Sequence, residues 1–258
     1  MILQYKGIPV YYEDEGKGHP VILLHGFLEN VTMWTAIKSC LLANNRVICI
    51  DLLGHGQTGC LGYIHTMEAM ADAVIAVLDY LKLKSYDIIG HSMGGYVSLA
   101  LAEKNPDAVL RLCLMNSTYH ADDYDMKVLR KRANKMVQTN YESMIRMSVT
   151  NLFSVESRSE NSEAIDRVIA QALKTPLQGY IAGQEGMLLR ADKFNFLKHL
   201  KAKKLIVIGK KDLVVKREQI KRDTRSTDIR CEELAFGHMS YIENIEELSY
   251  LINRFIEK

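Results

Sequence analysis

Residues 86–101 read Tyr86-Asp87-Ile88-Ile89-Gly90-His91-Ser92-Met93-Gly94-Gly95-Tyr96-Val97-Ser98-Leu99-Ala100-Leu101. How this stretch folds decides the fold of the chain. Ile88 and Ile89 suit a buried strand, and Val97, Leu99, Ala100 and Leu101 continue as an apolar helix. Between them stands Ser92, with Gly90 and Gly94 two residues away on either side. Glycine lacks a Cβ, so a strand can turn sharply into a helix there without side-chain clash. A serine at the apex of such a turn is lifted out of the sheet, the geometry of a nucleophile elbow. The helix starting just behind it presents unpaired N–H groups toward developing negative charge. A glycine-rich packing turn is the plainer alternative, and the rest of the chain decides between them.

Outward from this turn the pattern is one of short apolar runs separated by helical stretches. Val21-Ile22-Leu23-Leu24, Val47-Ile48-Cys49-Ile50, Val109 to Leu114 and Leu205-Ile206-Val207-Ile208 are apolar at nearly every position. Such runs suit strands covered on both faces, as in a parallel sheet. A hairpin precedes them, with Ile2 to Lys6 and Val10 to Glu13 flanking Gly7-Ile8-Pro9. Met33, Trp34, Ile37 and Leu41 repeat at helical spacing, as do Met67, Met70, Val74, Leu78 and Leu81 behind an N-cap at Thr66. Ile242, Ile245, Leu248, Ile252 and Phe255 mark a long C-terminal helix. Strands alternating with helices predict an α/β chain built on an open, mostly parallel sheet with helices on both faces.

One interval breaks the alternation. From Leu114 to Leu205 runs far more chain than the dozen or so residues a crossover needs. Residues 125–138, 141–153, 162–173 and 179–189 read as helices, so 119–192 is expected to be a helical cap inserted in a core made of 1–118 and 193–258. Met126, Met136, Met144, Met147 and Met187 fall in the insertion, five of the 12 methionines in the chain. Amphipathic packing is the ordinary use of such residues, and adaptable pocket walls are the other. Met144, Met147 and Met187 are the pocket candidates, with Arg190 as the basic one. The run Lys127, Arg130, Lys131, Arg132, Lys135 reads as a solvated face, because 119–190 holds 10 Lys and Arg against 9 Asp and Glu.

Composition excludes several functions. The 258 residues carry 33 Lys and Arg against 31 Asp and Glu, a net charge of +2, which offers no field for nucleic acid or an anionic membrane. No run approaches the roughly 20 apolar residues that cross a bilayer, and the N-terminus lacks an apolar leader. Five cysteines without a C-x-x-C pair argue against a disulfide framework and a thiolate metal site. A reduced, cytoplasmic, soluble protein is expected.

A serine hydroxyl at neutral pH needs a base, and the base needs an orienting acid. Of the eight histidines, His238 lies in Phe236-Gly237-His238-Met239-Ser240, after the segment Ile229 to Leu234 and before the last helix. Asp212 directly follows the last long apolar run in Ile208-Gly209-Lys210-Lys211-Asp212. Ser92, Asp212 and His238 thus all fall past strand ends, where open parallel sheets bind ligands.

With these motifs the chain resembles the α/β-hydrolases along nearly its whole length. The matches are His25-Gly26-Phe27, Asp51 to Thr58, the Gly90 to Gly95 turn, Gly209 to Asp212 and Gly237-His238-Met239. The resemblance implies that Ser92 is the nucleophile, His238 the base and Asp212 the acid. It also implies an oxyanion hole from the N–H groups of Phe27 and Met93, with His25 organising that loop at the edge of the pocket. In some members the acid follows the sixth strand, but Asn116 and Ser117 stand there and supply no carboxylate. No metal or other cofactor is implied, since the oxyanion hole supplies the electrostatics. The expected activity is hydrolysis of a small-molecule ester or lactone through an acyl-enzyme. A carbon–carbon bond hydrolase or lyase using the same three residues is the alternative, and a non-catalytic small-molecule receptor is the third reading. Serine at 92, where a haloalkane dehalogenase has aspartate, speaks against that chemistry.

Overall fold

The computed structural model describes residues 1–257. Its strands are β1 (Ile2–Tyr5), β2 (Ile8–Gly16), β3 (His19–Leu24), β4 (Asn45–Ile50), β5 (Tyr86–His91), β6 (Val109–Met115), β7 (Lys203–Gly209) and β8 (Arg230–Leu234). The helices of the first half are α1 (Thr35–Leu41), α2 (Met67–Tyr80) and α3 (Met93–Lys104). Between β6 and β7 come α4 (Tyr124–Met136), α5 (Tyr141–Thr150), α6 (Ser162–Ala172), α7 (Leu177–Leu189) and α8 (Phe194–His199). After β7 follow α9 (Arg217–Thr224), α10 (Ser240–Glu243) and α11 (Ile245–Glu257). The strands form one sheet in the order β1-β2-β4-β3-β5-β6-β7-β8. β1 and β2 pair antiparallel with each other, β2 pairs antiparallel with β4, and every other neighbour is parallel.

The apolar runs alternate between the two faces with the period of two that strand geometry imposes. Ile22, Leu24, Ile48, Ile50, Ile88, Leu112, Leu114, Ile206 and Ile208 pack on the face that α2 and α3 cover. Val21, Leu23, Val47, Cys49, Ile89, Cys113, Leu205 and Val207 pack on the other, against residues of α1 and α11. Both faces are apolar because both are roofed by helices. Every residue of α3 from Met93 to Ala102 is buried, which explains why that helix is apolar all round. Thr66 caps α2 by accepting from the Ala69 N–H at 3.1 Å.

Three details differ from the sequence reading. The hairpin turns at Lys6 and Gly7, both at positive φ (47° and 83°), so Ile8 and Pro9 already belong to β2. The C-terminal stripe is not one helix: Asn244, at φ −139° and ψ 35°, separates α10 from α11, and Ile242 belongs to the former. Two helices, α8 and α9, were not legible at all. α9 buries only Ile220 and Thr224, too few positions to make a repeat. No helix among the described residues is long and apolar enough to cross a membrane.

Strand register brings the chemistry to one edge. Leu24 pairs with Gly90, His91 with Met115, and Gly209 with Leu234, so the carboxyl ends of β3, β5, β6, β7 and β8 lie side by side. The β5–α3 turn fits there only because Gly90 and Gly94 lack side chains. A Cβ on Gly94 would sit 2.1 Å from the Leu24 carbonyl oxygen and 2.6 Å from that of His25, both backbone atoms that cannot swing aside. Gly94→Ala is therefore expected to cost about 3 kcal/mol of stability through overpacking. Urea denaturation measures this, and a loss below about 0.5 kcal/mol, within the range of a neutral surface change, contradicts the packing account.

Candidate active site

Ser92 connects the last residue of β5 to the first of α3 with φ 48° and ψ −115°, a conformation an L-residue holds only when its surroundings fix it. Its N–H donates to the Met115 carbonyl at 2.9 Å, and its own carbonyl accepts from Gly95 N–H at 3.0 Å and Ser117 Oγ at 2.7 Å. The strand on one side and the helix on the other thus pin the turn, leaving Oγ free to point outward. Oγ lies 2.9 Å from His238 Nε2, and His238 Nδ1 lies 2.8 Å from Asp212 Oδ2.

Asp212 is held from several directions. The N–H groups of Val214 and Val215 donate to Oδ1 at 2.8 and 3.1 Å, and Asn116 Nδ2 donates to Oδ2 at 3.1 Å. Burial alone would raise the pKa of this carboxyl, yet the His238 imidazole and these hydrogen bonds outweigh it, and the pKa falls below the usual carboxylate value. Asn116, at the position after β6 where a carboxylate could have stood, instead supports the carboxylate that follows β7. It also donates to the Gly237 carbonyl at 3.2 Å and accepts from Ser240 Oγ. A second buried carboxylate, Glu243, accepts from Gly237 and Met239 N–H on either side of His238, and from Ser154 N–H and the hydroxyls of Ser154 and Ser157. It ties the histidine loop to the segment after α5.

Phe27 follows Gly26 in a turn closed by the Glu29 N–H donating to Gly26 O at 3.3 Å, with Leu28 at φ 65°. His25 is fully buried beneath it. Leu52 N–H donates to His25 Nε2 at 2.9 Å, so the proton sits on Nδ1, which donates to Gly26 O at 2.7 Å. Burial lowers the pKa of this ring, against the pull of Asp51, and keeps it neutral. Met93 opens α3, so its N–H has no acceptor within the helix.

A cavity of about 160 Å³ adjoins Ser92 and His238. Gly26, Phe27 and Leu28 form part of its wall, with Val149, Leu152, Val168 and Met187 from the segment between β6 and β7 supplying apolar surface. Arg130 and Gln184 also line it. Arg130 Nη1 donates to Gln184 Oε1 at 2.7 Å, and its Nε donates to the buried Asp122 at 2.6 Å. Of the five residues named from sequence as pocket candidates, Met187 alone reaches the wall. α5 turns Ser148 and Val149 to the cavity, which leaves Met147 53% exposed on another face and Met144 buried in the core one turn earlier. His25 lies beneath the turn. Arg190 stacks on Tyr96 with its guanidinium carbon 4.1 Å from the ring centroid and bonds Asp122 at 2.7 Å, one layer behind the wall. Arg130, read from the sequence as part of a solvated face, instead lines the cavity with its side chain 13% exposed, and Gln184, Val149, Leu152 and Val168 were missed. Only the i, i+3 spacing of Val149 and Leu152 could have hinted at a shared face.

The family model for the alpha/beta hydrolase fold matches residues 19–245. An esterase from Thermogutta terrifontis superposes with a TM-score of 0.92 at 29% identity, covering 100% of this chain and 97% of that one. An enol-lactonase from Burkholderia xenovorans LB400 also gives 0.92, at 21% identity with 100% of each chain covered, a likeness of fold. Among curated proteins, a 2-hydroxymuconate semialdehyde hydrolase from Pseudomonas sp. CF600 is 35% identical over 115 residues, 43% of this chain and 41% of that protein. The acetyltransferase component of an acetoin cleaving system from Pseudomonas putida is 25% identical over 260 residues, 96% of this chain and 66% of that protein. The match thus spans less than two thirds of the length of both curated relatives. The family match over most of the chain, with hydrolases among its relatives, supports an enzyme, and the chain belongs to the α/β-hydrolase family.

Proposed function

We propose that this chain is a serine hydrolase that cleaves a small to medium carboxylic ester or lactone through an acyl-enzyme. Ser92 is the nucleophile, His238 the base and then the acid, and Asp212 the carboxylate that orients it. The observation that carries this reading is the unbroken line Ser92 Oγ to His238 Nε2 at 2.9 Å and His238 Nδ1 to Asp212 Oδ2 at 2.8 Å, beside a mainly apolar cavity. Oγ attacks the ester carbonyl carbon while Nε2 takes its proton. The tetrahedral oxyanion accepts from the N–H groups of Phe27 and Met93. Collapse expels the alkoxide, which takes the proton from Nε2. Water then attacks the acyl-enzyme by the same route, and Ser92 regains its proton.

Residues 119–192 serve as a cap in this reading, roofing Ser92 and choosing the acyl group. A volume of about 160 Å³ is below the 300–1,000 Å³ typical of drug-sized ligands, which favours short acyl chains. The 35% identity to a 2-hydroxymuconate semialdehyde hydrolase over 115 residues motivates a second reading, carbon–carbon bond hydrolysis with the same three residues. A panel of short-chain esters, lactones and vinylogous 1,5-diketones separates the two.

Ser92→Ala is expected to lower ester kcat/KM by roughly 10⁴-fold or more with the fold intact. Retention of more than a few per cent of activity removes the nucleophile assignment. Asp212→Asn should lose roughly 10³–10⁴-fold in acylation, because it favours the wrong imidazole tautomer. Near-native rates in that variant contradict the role given to the acid. Because the folded-state pKa of Asp212 lies below its ordinary 3.8, its stabilisation is complete above that value and is lost as the pH falls through the depressed one. The urea midpoint of the wild type should therefore drop more steeply below about pH 4 than that of Asp212→Asn. Parallel curves count against it. Met187→Ala should change the acetate-to-octanoate preference by roughly 10- to 200-fold, and the outward-facing Met147→Ala by less than about 2-fold. Equal effects at the two positions contradict the assigned wall.

A further inference from the structure

Beside the line of Ser92, His238 and Asp212 lies a second polar group that the hydrolytic steps above do not use. Glu29 is 6% exposed, and its carboxylate has three partners from three parts of the chain. Oε2 accepts from the Gly26 N–H at 2.6 Å and lies 2.8 Å from His91 Nδ1, while Oε1 accepts from the Tyr241 hydroxyl at 3.0 Å. On the far side of the ring, His91 Nε2 lies 3.1 Å from the carbonyl oxygen of His238. A carbonyl oxygen only accepts, so Nε2 carries a proton and donates it. The His91 ring also packs against the rings of His238 and Tyr241, at centroid distances of 5.2 and 5.5 Å.

One proton remains to be placed between Nδ1 and the carboxylate. Burial disfavours charge on both groups, but their mutual attraction outweighs it. The Gly26 N–H and the Tyr241 hydroxyl both donate to the carboxylate, which suits its ionised form, and the shifts run the same way, His91 raised and Glu29 lowered. Gly26 is part of the same device, since a Cβ there would lie 2.5 Å from Glu29 Oε2 and 2.9 Å from His91 Nδ1.

The connectivity gives the pair its purpose. Gly26 immediately precedes Phe27, whose N–H faces the developing oxyanion in the reading above. His91 immediately precedes Ser92. The carbonyl that His91 holds belongs to His238 itself, and Tyr241 lies in α10, just past the histidine loop. We propose that Glu29 and His91 form a buried ion pair that holds the Phe27 turn, Ser92 and His238 in register, and so act as positioning residues for the transition state. The inference rests on the serine-hydrolase reading. Neither residue exchanges protons with substrate in it; both act through the groups they hold.

Glu29→Gln tests this with almost no change of shape. Glutamine has one acceptor oxygen where the carboxylate has two. With its oxygen turned to Gly26 it leaves the imidazolium without a counter-charge. With its nitrogen there, the Gly26 N–H loses its acceptor. Kinetics with p-nitrophenyl acetate and inhibition by butylboronic acid are measured on wild type, Glu29→Gln and Tyr241→Phe, with folding checked by circular dichroism and urea midpoint. The boronic acid adds to Ser92 Oγ as a tetrahedral boronate, the Oγ proton passing to His238, so its affinity reports the geometry of the tetrahedral state. Glu29→Gln should lose roughly 10²-fold in kcat, the scale of a small misplacement of reacting groups, and boronate affinity should fall in parallel. KM should stay within about 3-fold, because ground-state binding does not depend on the oxyanion donors. Tyr241→Phe, which keeps the ion pair and removes one bond, should show a smaller loss in the same direction. Unchanged kcat and boronate affinity in folded Glu29→Gln overturn the inference, and so does a change confined to KM, which would mark Glu29 as a substrate contact. Should Glu29→Gln fail to fold, unchanged boronate affinity in Tyr241→Phe overturns it alone. A wild-type protein that neither turns over the ester nor binds the boronate overturns the hydrolase reading, and this inference with it.

Discussion

Ser92 sits where strand β5 reverses into helix α3, and backbone contact on both sides leaves that turn no other path. A Cβ on Gly90 would meet the Gly94 carbonyl oxygen at 2.4 Å, and one on Gly94 would meet that of Leu24 at 2.1 Å. The serine pays for this closeness with a φ of 48°, held by its N–H donating to Met115 O at the end of β6 and by its carbonyl accepting from Gly95 N–H in α3. The same contact sets α3 against the ends of β3 and β5. In consequence the Phe27 turn, which follows β3, arrives next to the serine. The remaining parts of the site are assembled around that fixed point.

Assembly is done by buried polar groups rather than by the loops' own stiffness. The segments that follow β3, β7 and β8 have little regular structure at the sheet edge, and each is tied to a partner by a carboxylate. Asp212 holds its own loop through two N–H donors and reaches His238. Glu243 grips the backbone on either side of His238 and the segment after α5. Glu29 joins the Phe27 turn to His91 and Tyr241. An unmet donor or acceptor in such a place costs about 1–3 kcal/mol, so each network favours one arrangement over its neighbours. The α4 to α7 segment adds apolar wall at Val149, Val168 and Met187, together with polar ties to the rest of the chain, among them Asn30 Nδ2 to Gln171 Oε1 and the His65 N–H to the Ala182 carbonyl.

Legibility in the sequence followed the range of the interaction. The β5–α3 turn was readable because its requirement for small residues is local, and the core strands because both of their faces are apolar. Asp212 and His238 were chosen for their places just past strand ends, and those places bring their side chains within 2.8 Å of each other. The methionines of the insertion were misjudged at Met144 and Met147 because composition does not fix the rotation of a helix about its axis. α8 and α9 escaped because short helices with one or two buried positions leave no repeat to count. Glu29 lies 62 residues from His91 and 212 from Tyr241, so nothing near it in the sequence marks it as more than a surface acid. Asn116 was noticed as a residue unable to replace the acid, and its role as a donor to Asp212 required the fold.

The proposed hydrolysis requires Ser92 to be a nucleophile made reactive by His238 and Asp212. The most direct measurement is covalent modification of the native chain by a small alkyl fluorophosphonate, read by intact mass and peptide mapping. The account predicts one phosphonyl group per chain, attached to Ser92, with loss of fluoride. No adduct, or an adduct on any other residue with Ser92 unmodified, contradicts it.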